Sequence, residues 1–270
     1  MSGEELGQAV LGLAVQRARA VWGQRLVAAY GLGSLAHGGF SELVSDVDFG
    51  LVLEGPLTAE DAALVKTLAS GIDAPLADRL SVFWGARTTL EGDASIGRFP
   101  PLDRLDLIRY GRLLHGQDVR DGLPVPSQRE LVVKAAESGL GMAQRPDHRK
   151  AFAEPARLLS TGLKPLTKTI LFPVRFLYTA RTGEIGRNHD AANHFVQSEP
   201  GPMGDLAAAA LSWRERPPAP DDASARKLLE AGLVPIYRLF LYDHAERMEE
   251  YGESELAEKL RVELALARLN

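Results

Sequence analysis

Two aspartates, Asp46 and Asp48, stand two residues apart in an apolar stretch of the 270-residue chain. The stretch 46–53 (DVDFGLVL) predicts a β-strand, in which alternate side chains point to the same face. Both carboxylates would then share one face, about 7 Å apart. Neighbouring carboxylates repel each other when both are ionised, and a divalent cation removes that penalty. Mg²⁺ accepts such ligands and completes its shell with waters or phosphates, so the pair predicts a site for one or two Mg²⁺ ions.

A glycine and a serine, Gly33 and Ser34, follow a second predicted strand over 25–32, and eleven residues separate them from Asp46. Glycine lets the backbone approach a phosphate closely, and the N–H groups of a following helix start attract an anion. The Ser34 hydroxyl can donate to a phosphate oxygen. His37, in the loop that follows, is either a further phosphate contact or a solvated loop residue. Each motif alone is common, but together they predict a site for a nucleoside triphosphate and its metal.

The stretch from Gly31 to Leu53 resembles the signature of the DNA polymerase β-like nucleotidyltransferase superfamily, hG(G/S)-x(9–13)-D-h-(D/E)-h. Within it, the chain is similar to the aminoglycoside adenylyltransferases that act on streptomycin and spectinomycin. Residues 110–116 (YGRLLHG) resemble the family's "YG-x-x-L-x-G" segment, and 123–127 (LPVPS) stands where its interdomain linker belongs. Residues 171–185 (LFPVRFLYTARTGEI) resemble the family's "LtLsRiwYsavTGkI".

This resemblance implies a role for each of five residues. Asp46 and Asp48 would bind Mg²⁺, Gly33 and Ser34 would hold the triphosphate, and Arg175 would lie near the nucleotide phosphates. An arginine suits that place because its guanidinium can fork onto phosphate oxygens. The implied activity is transfer of AMP from ATP to a hydroxyl of a small molecule. An aminoglycoside is the expected acceptor, which would make the protein an antibiotic-resistance enzyme.

The chain departs from the family where a third carboxylate, the base toward the acceptor hydroxyl, is expected on the next strand. The corresponding stretch 79–84 (RLSVFW) contains no acid. Asp78, just before it, is the nearest candidate for the catalytic base, and Glu91 and Asp93 are weaker ones. Asp78 can also be read as a turn residue between helix and strand. The acceptor would then be activated by the metal alone, or the chain would bind nucleotide without fast transfer.

A second departure concerns a phosphate-binding lysine in the family segment "TGkIaPKd-x-A", which reads TGEIGRNHDAA in this chain. Asn188 stands at the position of that lysine. Arg187, one residue earlier, is a candidate substitute that would bind the nucleotide, as is Lys168. A shift of one residue turns a side chain by about 100° around a helix.

The composition changes near residue 125, which predicts two domains. Residues 1–124 are rich in glycine and mix strand and helix patterns, whereas residues 127–270 have mainly helical periodicity. Two prolines in 122–126 favour a linker, and Ser127 with Glu130 forms a capping-box pattern. The predicted class is α+β, with a nucleotidyltransferase domain (a small mixed sheet flanked by helices) followed by an all-α substrate-binding bundle. The individually predicted elements are strands over 25–32, 46–53 and 79–84, and helices over 6–21, 58–70 and 101–114. Four or more helices are expected after residue 127, with strong helical periodicity over 204–216 and 223–269.

Charge and composition limit the partners. The formal net charge of −5 argues against a nucleic-acid binder, which usually carries a basic stripe. The absence of cysteine excludes disulfides, a thiol nucleophile and cysteine-bound zinc. No apolar run approaches the ~20 residues of a membrane helix, and acids precede arginines near the N-terminus, the reverse of a signal peptide. We therefore expect a soluble cytoplasmic protein, monomeric or weakly dimeric, with no nucleic-acid or membrane partner.

Two other functions stay open on the sequence. One is a nucleotidyltransferase that transfers AMP to a protein. The other is a catalytically impaired nucleotide-binding module, which the missing acid in 79–84 keeps in consideration.

Overall fold

The computed structural model describes residues 1–92 and 95–267. The candidate residue Asp93 lies outside the described residues, as does the end of the helix predicted over 223–269. The chain divides into two compact units, Met1–Pro126 and Ser127–Asn270.

The first unit is built around one four-stranded sheet. Three of its strands confirm the strands predicted from the sequence. In chain order its elements are α1 (Gly3–Trp22), β1 (Leu26–Gly31), α2 (Ser34–His37), β2 (Val47–Leu53), α3 (Ala59–Thr67), β3 (Leu80–Gly85), α4 (Arg87–Glu91), α5 (Pro101–Tyr110) and β4 (Arg112–Gly116).

The sheet has the strand order β3-β2-β1-β4 and is mixed, as predicted. β1 is antiparallel to both of its neighbours, and β2 is parallel to β3. Val10 and Leu11 of α1 belong to the same buried cluster as Phe49 of β2. Tyr30 of β1 belongs to a second cluster together with Leu107 of α5. The sheet is therefore buried on both faces, because alternate residues of each strand point to opposite sides.

The helix predicted over 101–114 is wrong at its C-terminal end. α5 ends at Tyr110, where the Gly111 N–H closes the last turn onto two carbonyls of the helix. Residues Arg112–Gly116 instead form β4, an edge strand antiparallel to β1. The sequence RLLHG shows no strong strand pattern of its own, and the strand forms because β1 offers a free edge.

Asp61 ties the start of α3 to the end of α1. Its Oδ1 accepts hydrogen bonds from Trp22 Nε1 at 2.9 Å and from Arg25 Nη1 at 3.0 Å. It also closes the capping box of this helix with Thr58. Burial raises the pKa of Asp61, but these hydrogen bonds outweigh that effect and lower the pKa to about 2.

The described residues of the second unit, 127–267, form helices joined by loops, with no strand among them, in agreement with the predicted helical domain. The Ser127 and Glu130 capping box is present at its first helix. The predicted helix 223–269 is interrupted after Glu250, because Gly252 has a φ of +76° and ends the helix. The helices are α6 (Gln128–Ala143), α7 (Pro146–Ala153), α8 (Leu163–Thr182), α9 (Asn188–Ser198), α10 (Pro202–Trp213), α11 (Ala223–Glu250) and α12 (Ser254–Leu266). In the described part of the chain, no helix is both long and apolar enough to cross a membrane.

His244 lies in the centre of this unit, on α11, and is fully buried. Its ring packs on Phe240, with centroids 4.2 Å apart, and its Nδ1 is 3.1 Å from the Phe240 carbonyl oxygen. Its Nε2 has no hydrogen-bond partner among the described residues. Burial lowers the pKa of His244 to about 4, although the charge of Asp243 opposes this. The imidazole is therefore neutral near pH 7.

Candidate nucleotide and metal site

The end of β1 and the start of β2 lie side by side, which brings the two predicted motifs together. Gly31 pairs with Phe49 in the antiparallel ladder. The next residue, Leu32, donates its N–H to the carbonyl oxygen of Asp48 at 2.9 Å. The Gly33–Ser34 turn therefore begins beside Asp48, as the combined motif requires.

Gly33 lies so close to the carboxylate of Asp48 that any side chain at this position would force the carboxylate to move. A Cβ on Gly33 would lie 2.2 Å from Asp48 Oδ2. The backbone of Gly33 also has a φ of +60°, a region in which side chains other than glycine are strained. Its carbonyl oxygen accepts the N–H groups of Ala36 and His37, which forms the short helix α2. Ser34, the first residue of α2, thus follows directly on the contact with Asp48.

Asp46 and Asp48 flank Val47, which is completely buried in the cluster on the α1 side of the sheet. Because side chains alternate along a strand, Asp48 points to the opposite side of the sheet. Both aspartates are half-buried. The structure therefore places Gly33, Ser34 and Asp48 in one neighbourhood, with Asp46 at the start of the same strand.

The third acid is not on β3. Ser81 is the residue in register with Asp48 across the parallel β2–β3 pair. Asp78 lies three residues earlier, exposed, in the 3-10 segment Ala77–Arg79 that precedes the strand. Glu91 forms an exposed ion pair with Arg87 at 3.0 Å. The role of Asp78 as a base stays a prediction.

A buried acid that the sequence analysis missed contacts the turn. Asp106 of α5 accepts the Gly33 N–H on its Oδ2 at 2.7 Å. His37, at the other end of α2, places Nε2 at 3.8 Å from Oδ1 of the same aspartate. The His37 side chain is 8% exposed, so the interpretation of His37 as a solvated loop residue is wrong.

The two arginines expected near the phosphates belong to the second unit. Arg175, on α8, donates its Nε–H to the carbonyl oxygen of Gly186, immediately before Arg187. Arg187 precedes the first residue of α9, Asn188, and forms an ion pair with Asp190. The hydrogen bond from the Arg175 side chain to the Gly186 carbonyl thus links Arg175 to the segment that carries Arg187. Their roles toward a nucleotide stay predictions.

Arg214 is a third arginine in this neighbourhood that the sequence did not indicate. It caps the C-terminus of α10 and is 8% exposed. Burial lowers the pKa of Arg214, and the positive charge of Arg175 lowers it further. Its sequence surroundings, SWRERPP, read as a helix end, so no local pattern identifies it as a residue near Arg175.

The first unit offers a donor set that suits Mg²⁺. Two half-buried carboxylates, Asp46 and Asp48, supply hard oxygen ligands, and because Gly33 has no side chain the carboxylate of Asp48 can lie directly against its backbone. Among the described residues, no group of three or more histidine, aspartate or glutamate side chains forms a complete protein cage for a metal. Such a partial set is typical of Mg²⁺ sites that the phosphates of a substrate complete.

No protein-family model matches the sequence, and no curated protein matches it. Among solved structures, the chain is similar to the crystal structure of spectinomycin adenyltransferase AAD(9) from Enterococcus faecialis with ATP and spectinomycin. The TM-score is 0.54 at 15% sequence identity, and the match covers 80% of this chain and 96% of that one. The α+β class is confirmed, and the chain shares its fold with that solved structure.

Proposed function

We propose that the protein is a Mg²⁺-dependent nucleotidyltransferase that transfers AMP from ATP to a hydroxyl of a small molecule. The observation that carries the proposal is the contact between the Gly33 backbone and the carboxylate of Asp48. A turn that binds phosphates and a carboxylate that binds a metal ion can act on the same nucleotide only when they lie this close together. The solved structure of similar fold was determined with ATP, which supports ATP as the donor.

Each candidate site residue of the first unit has one role in the proposed reaction. The Gly33–Ser34 turn holds the phosphates through the backbone and the Ser34 hydroxyl. Asp46 and Asp48 hold Mg²⁺, which when bound neutralises phosphate charge and favours displacement at the α-phosphorus. The acceptor oxygen forms a bond to the α-phosphorus, the bond from that phosphorus to the bridging oxygen breaks, and pyrophosphate leaves. The hydroxyl proton passes to Asp78 or to water.

Arg175 and Arg187, the two arginines expected near the phosphates, are proposed to bind the nucleotide. Arg175 forks onto phosphate oxygens, and Arg187 takes the part of the lysine that Asn188 replaces. Two guanidinium groups would stabilise the negative charge that develops on the leaving pyrophosphate.

The proposed acceptor is a cationic aminoglycoside or aminocyclitol antibiotic. The solved structure of similar fold contains spectinomycin, and the net charge of −5 favours a cationic substrate over nucleic acid. The protein would act in the cytoplasm, where ATP and Mg²⁺ are plentiful, as an antibiotic-resistance enzyme. It needs no membrane partner, and we propose a monomer or weak dimer.

One observation favours a second candidate, a nucleotide-binding module with little or no transferase activity. Ser81 occupies the register position beside Asp48 at which an acid on β3 would serve as the base. The module would bind Mg·ATP through the same residues and release no pyrophosphate.

Mass analysis after incubation with Mg·ATP separates these functions. The proposal predicts that an added aminoglycoside or aminocyclitol gains one AMP, and that Asp48→Asn abolishes the gain while the protein stays folded. AMP found on the protein itself, without an acceptor, would indicate a protein-modifying enzyme. Mg·ATP binding with neither product over the full acceptor panel would contradict the proposal and favour the module.

A further inference from the structure

The Gly33–Ser34 turn is hydrogen-bonded to a residue of α5. The Gly33 N–H donates to Asp106 Oδ2 at 2.7 Å, a bond that spans 73 residues of chain. Asp106 is 7% exposed. A buried carboxylate is costly unless hydrogen bonds compensate for its lost hydration, and a charged acceptor makes a shorter and stronger bond than a neutral one. The contact therefore fixes the turn more firmly than an ordinary loop contact.

His37 attaches the other end of α2 to the same helix. Its Nε2 lies 3.8 Å from Asp106 Oδ1, and its ring meets the ring of Tyr110 edge-on at 5.7 Å. The side chains of His37 and Asp106 are 8% and 10% exposed. Both ends of α2, the short helix that carries Ser34, thus contact one stretch of α5.

Gly33 contacts both Asp106 and the carboxylate of Asp48, the proposed metal ligand. The N–H of Gly33 points at Asp106, while its Cα lies against Asp48 with no room for a Cβ. Asp106, Gly33 and Asp48 form a continuous chain of contacts from α5 to β2. A movement of the turn therefore changes the distance between the Ser34 hydroxyl and the Asp48 carboxylate. Displacements of about 1 Å in such sites cost on the order of 100-fold in rate.

We propose that Asp106 is a positioning residue of the nucleotide site. It touches neither nucleotide nor metal, and it sets the place of the Gly33–Ser34 turn relative to Asp48. His37 lies beside its other oxygen. This inference rests on the proposed function, since the turn must hold phosphates for its position to matter.

Two substitutions at Asp106 and one matched control test the proposal in the full chain. Asp106→Ala removes the acceptor, and we expect the Kd for Mg·ATP to rise about tenfold or more. Asp106→Asn keeps an acceptor oxygen and should recover most of the affinity, which a purely electrostatic role would not allow. Asp61→Asn is the control, because Asp61 is an equally buried carboxylate of the same unit that does not contact the turn. It should leave the Kd unchanged.

The amide of Gly33 supplies a readout that does not depend on turnover. In Asp106→Ala its hydrogen exchange should accelerate at least tenfold and its proton resonance should move upfield, whereas both should stay unchanged in Asp61→Asn. Unchanged exchange of Gly33 in Asp106→Ala would overturn the proposal, as would faster exchange with an unchanged Kd. A wild-type protein that binds no Mg·ATP would instead overturn the proposed function, and the exchange data would still show whether Asp106 holds the turn.

Discussion

Ser81 lies across the parallel β2–β3 pair from Asp48, in direct register. Side chains in register on neighbouring strands share a face and are about 5 Å apart. Ser81 therefore stands where an acid on β3 would reach the carboxylate of Asp48. The nearest acid that precedes it is Asp78, which is exposed and outside the ladder.

Substitutions at Asp78 and Ser81 test which of the two positions can supply the general base for the acceptor hydroxyl. A positioned general base contributes on the order of 100-fold or more, so Asp78→Asn should lower kcat by about that factor with little change in KM for ATP. Adding Ser81→Glu to that variant should restore most of the rate, because the new carboxylate stands beside Asp48. Pyrophosphate release at saturating substrates measures both. An unchanged kcat in Asp78→Asn would remove Asp78 from the mechanism.

The close contact of Gly33 predicts a specific loss on adding one methyl group. In Gly33→Ala the Cβ would have to displace the Asp48 carboxylate, so Mg·ATP affinity should fall by about 100-fold or more. Gly55→Ala is the control, since Gly55 also has a positive φ of +77° but has open space where the Cβ would be. Both variants carry a backbone strain of about 1–3 kcal/mol.

Calorimetric titration with Mg·ATP and thermal unfolding together separate strain from the loss of the site. We expect the two variants to lose similar stability and only Gly33→Ala to lose affinity. Equal affinities in the two variants would mean that the Gly33 contact with Asp48 does not shape the site.

Acid should destabilise the second unit through His244. The pKa of His244 is about 4 in the folded protein and near 6.5 when unfolded, so between these values the unfolded chain binds more protons. The free energy of unfolding should therefore fall as the pH drops from about 6.5 to about 4. Asp243 and Arg247 on α11 and Arg181 on α8 are the charged groups that act on it.

The His244→Leu variant should lose most of this pH dependence in urea unfolding followed by circular dichroism of the helices. His189→Asn, a substitution of an exposed histidine, should keep the wild-type slope. A wild-type slope that persists in His244→Leu would assign the acid sensitivity to other groups.

Asp61 should stabilise the first unit at neutral pH and cease to do so in acid. Its pKa is about 2 when folded, below the value near 4 of an unfolded chain, so its contribution is complete above pH 4 and is lost as the pH falls toward 2. Asp61→Asn should lower the free energy of unfolding by about 2 kcal/mol at pH 7. Urea unfolding at several pH values checks this, with the exposed Asp73→Asn as the control. A loss that is the same at pH 7 and pH 2.5 would contradict the assignment.

The parts of the fold that local sequence signals determine were predictable. The capping boxes at Thr58 and Ser127 involve residues three positions apart, and both are present. The strand carrying Asp48 follows from its own apolar pattern. β4 could not be predicted, because RLLHG becomes a strand only by pairing with β1, which is distant in sequence.

The candidate site likewise contains residues that the sequence predicts and residues that only the packing of distant segments reveals. The spacing from Gly33 to Asp48 is a property of the chain, so the sequence predicted that these residues meet. Asp106 lies in PLDRLDLIRY, where either aspartate of the helix fits an amphipathic pattern. Only the packing of α5 against the turn shows which of them accepts the Gly33 N–H. Arg214 was missed for the same reason, since its neighbour Arg175 lies on another helix.

Pyrophosphate release shows whether the protein transfers a nucleotide to an acceptor. The wild-type protein and Asp46→Asn are compared with Mg²⁺, each of the four nucleoside triphosphates, and a panel of aminoglycoside and aminocyclitol antibiotics present or absent. The account predicts release with ATP that requires an acceptor, disappears with EDTA and disappears in Asp46→Asn. Release that persists in Asp46→Asn, or its absence from the wild-type protein with every nucleotide and acceptor, would contradict it.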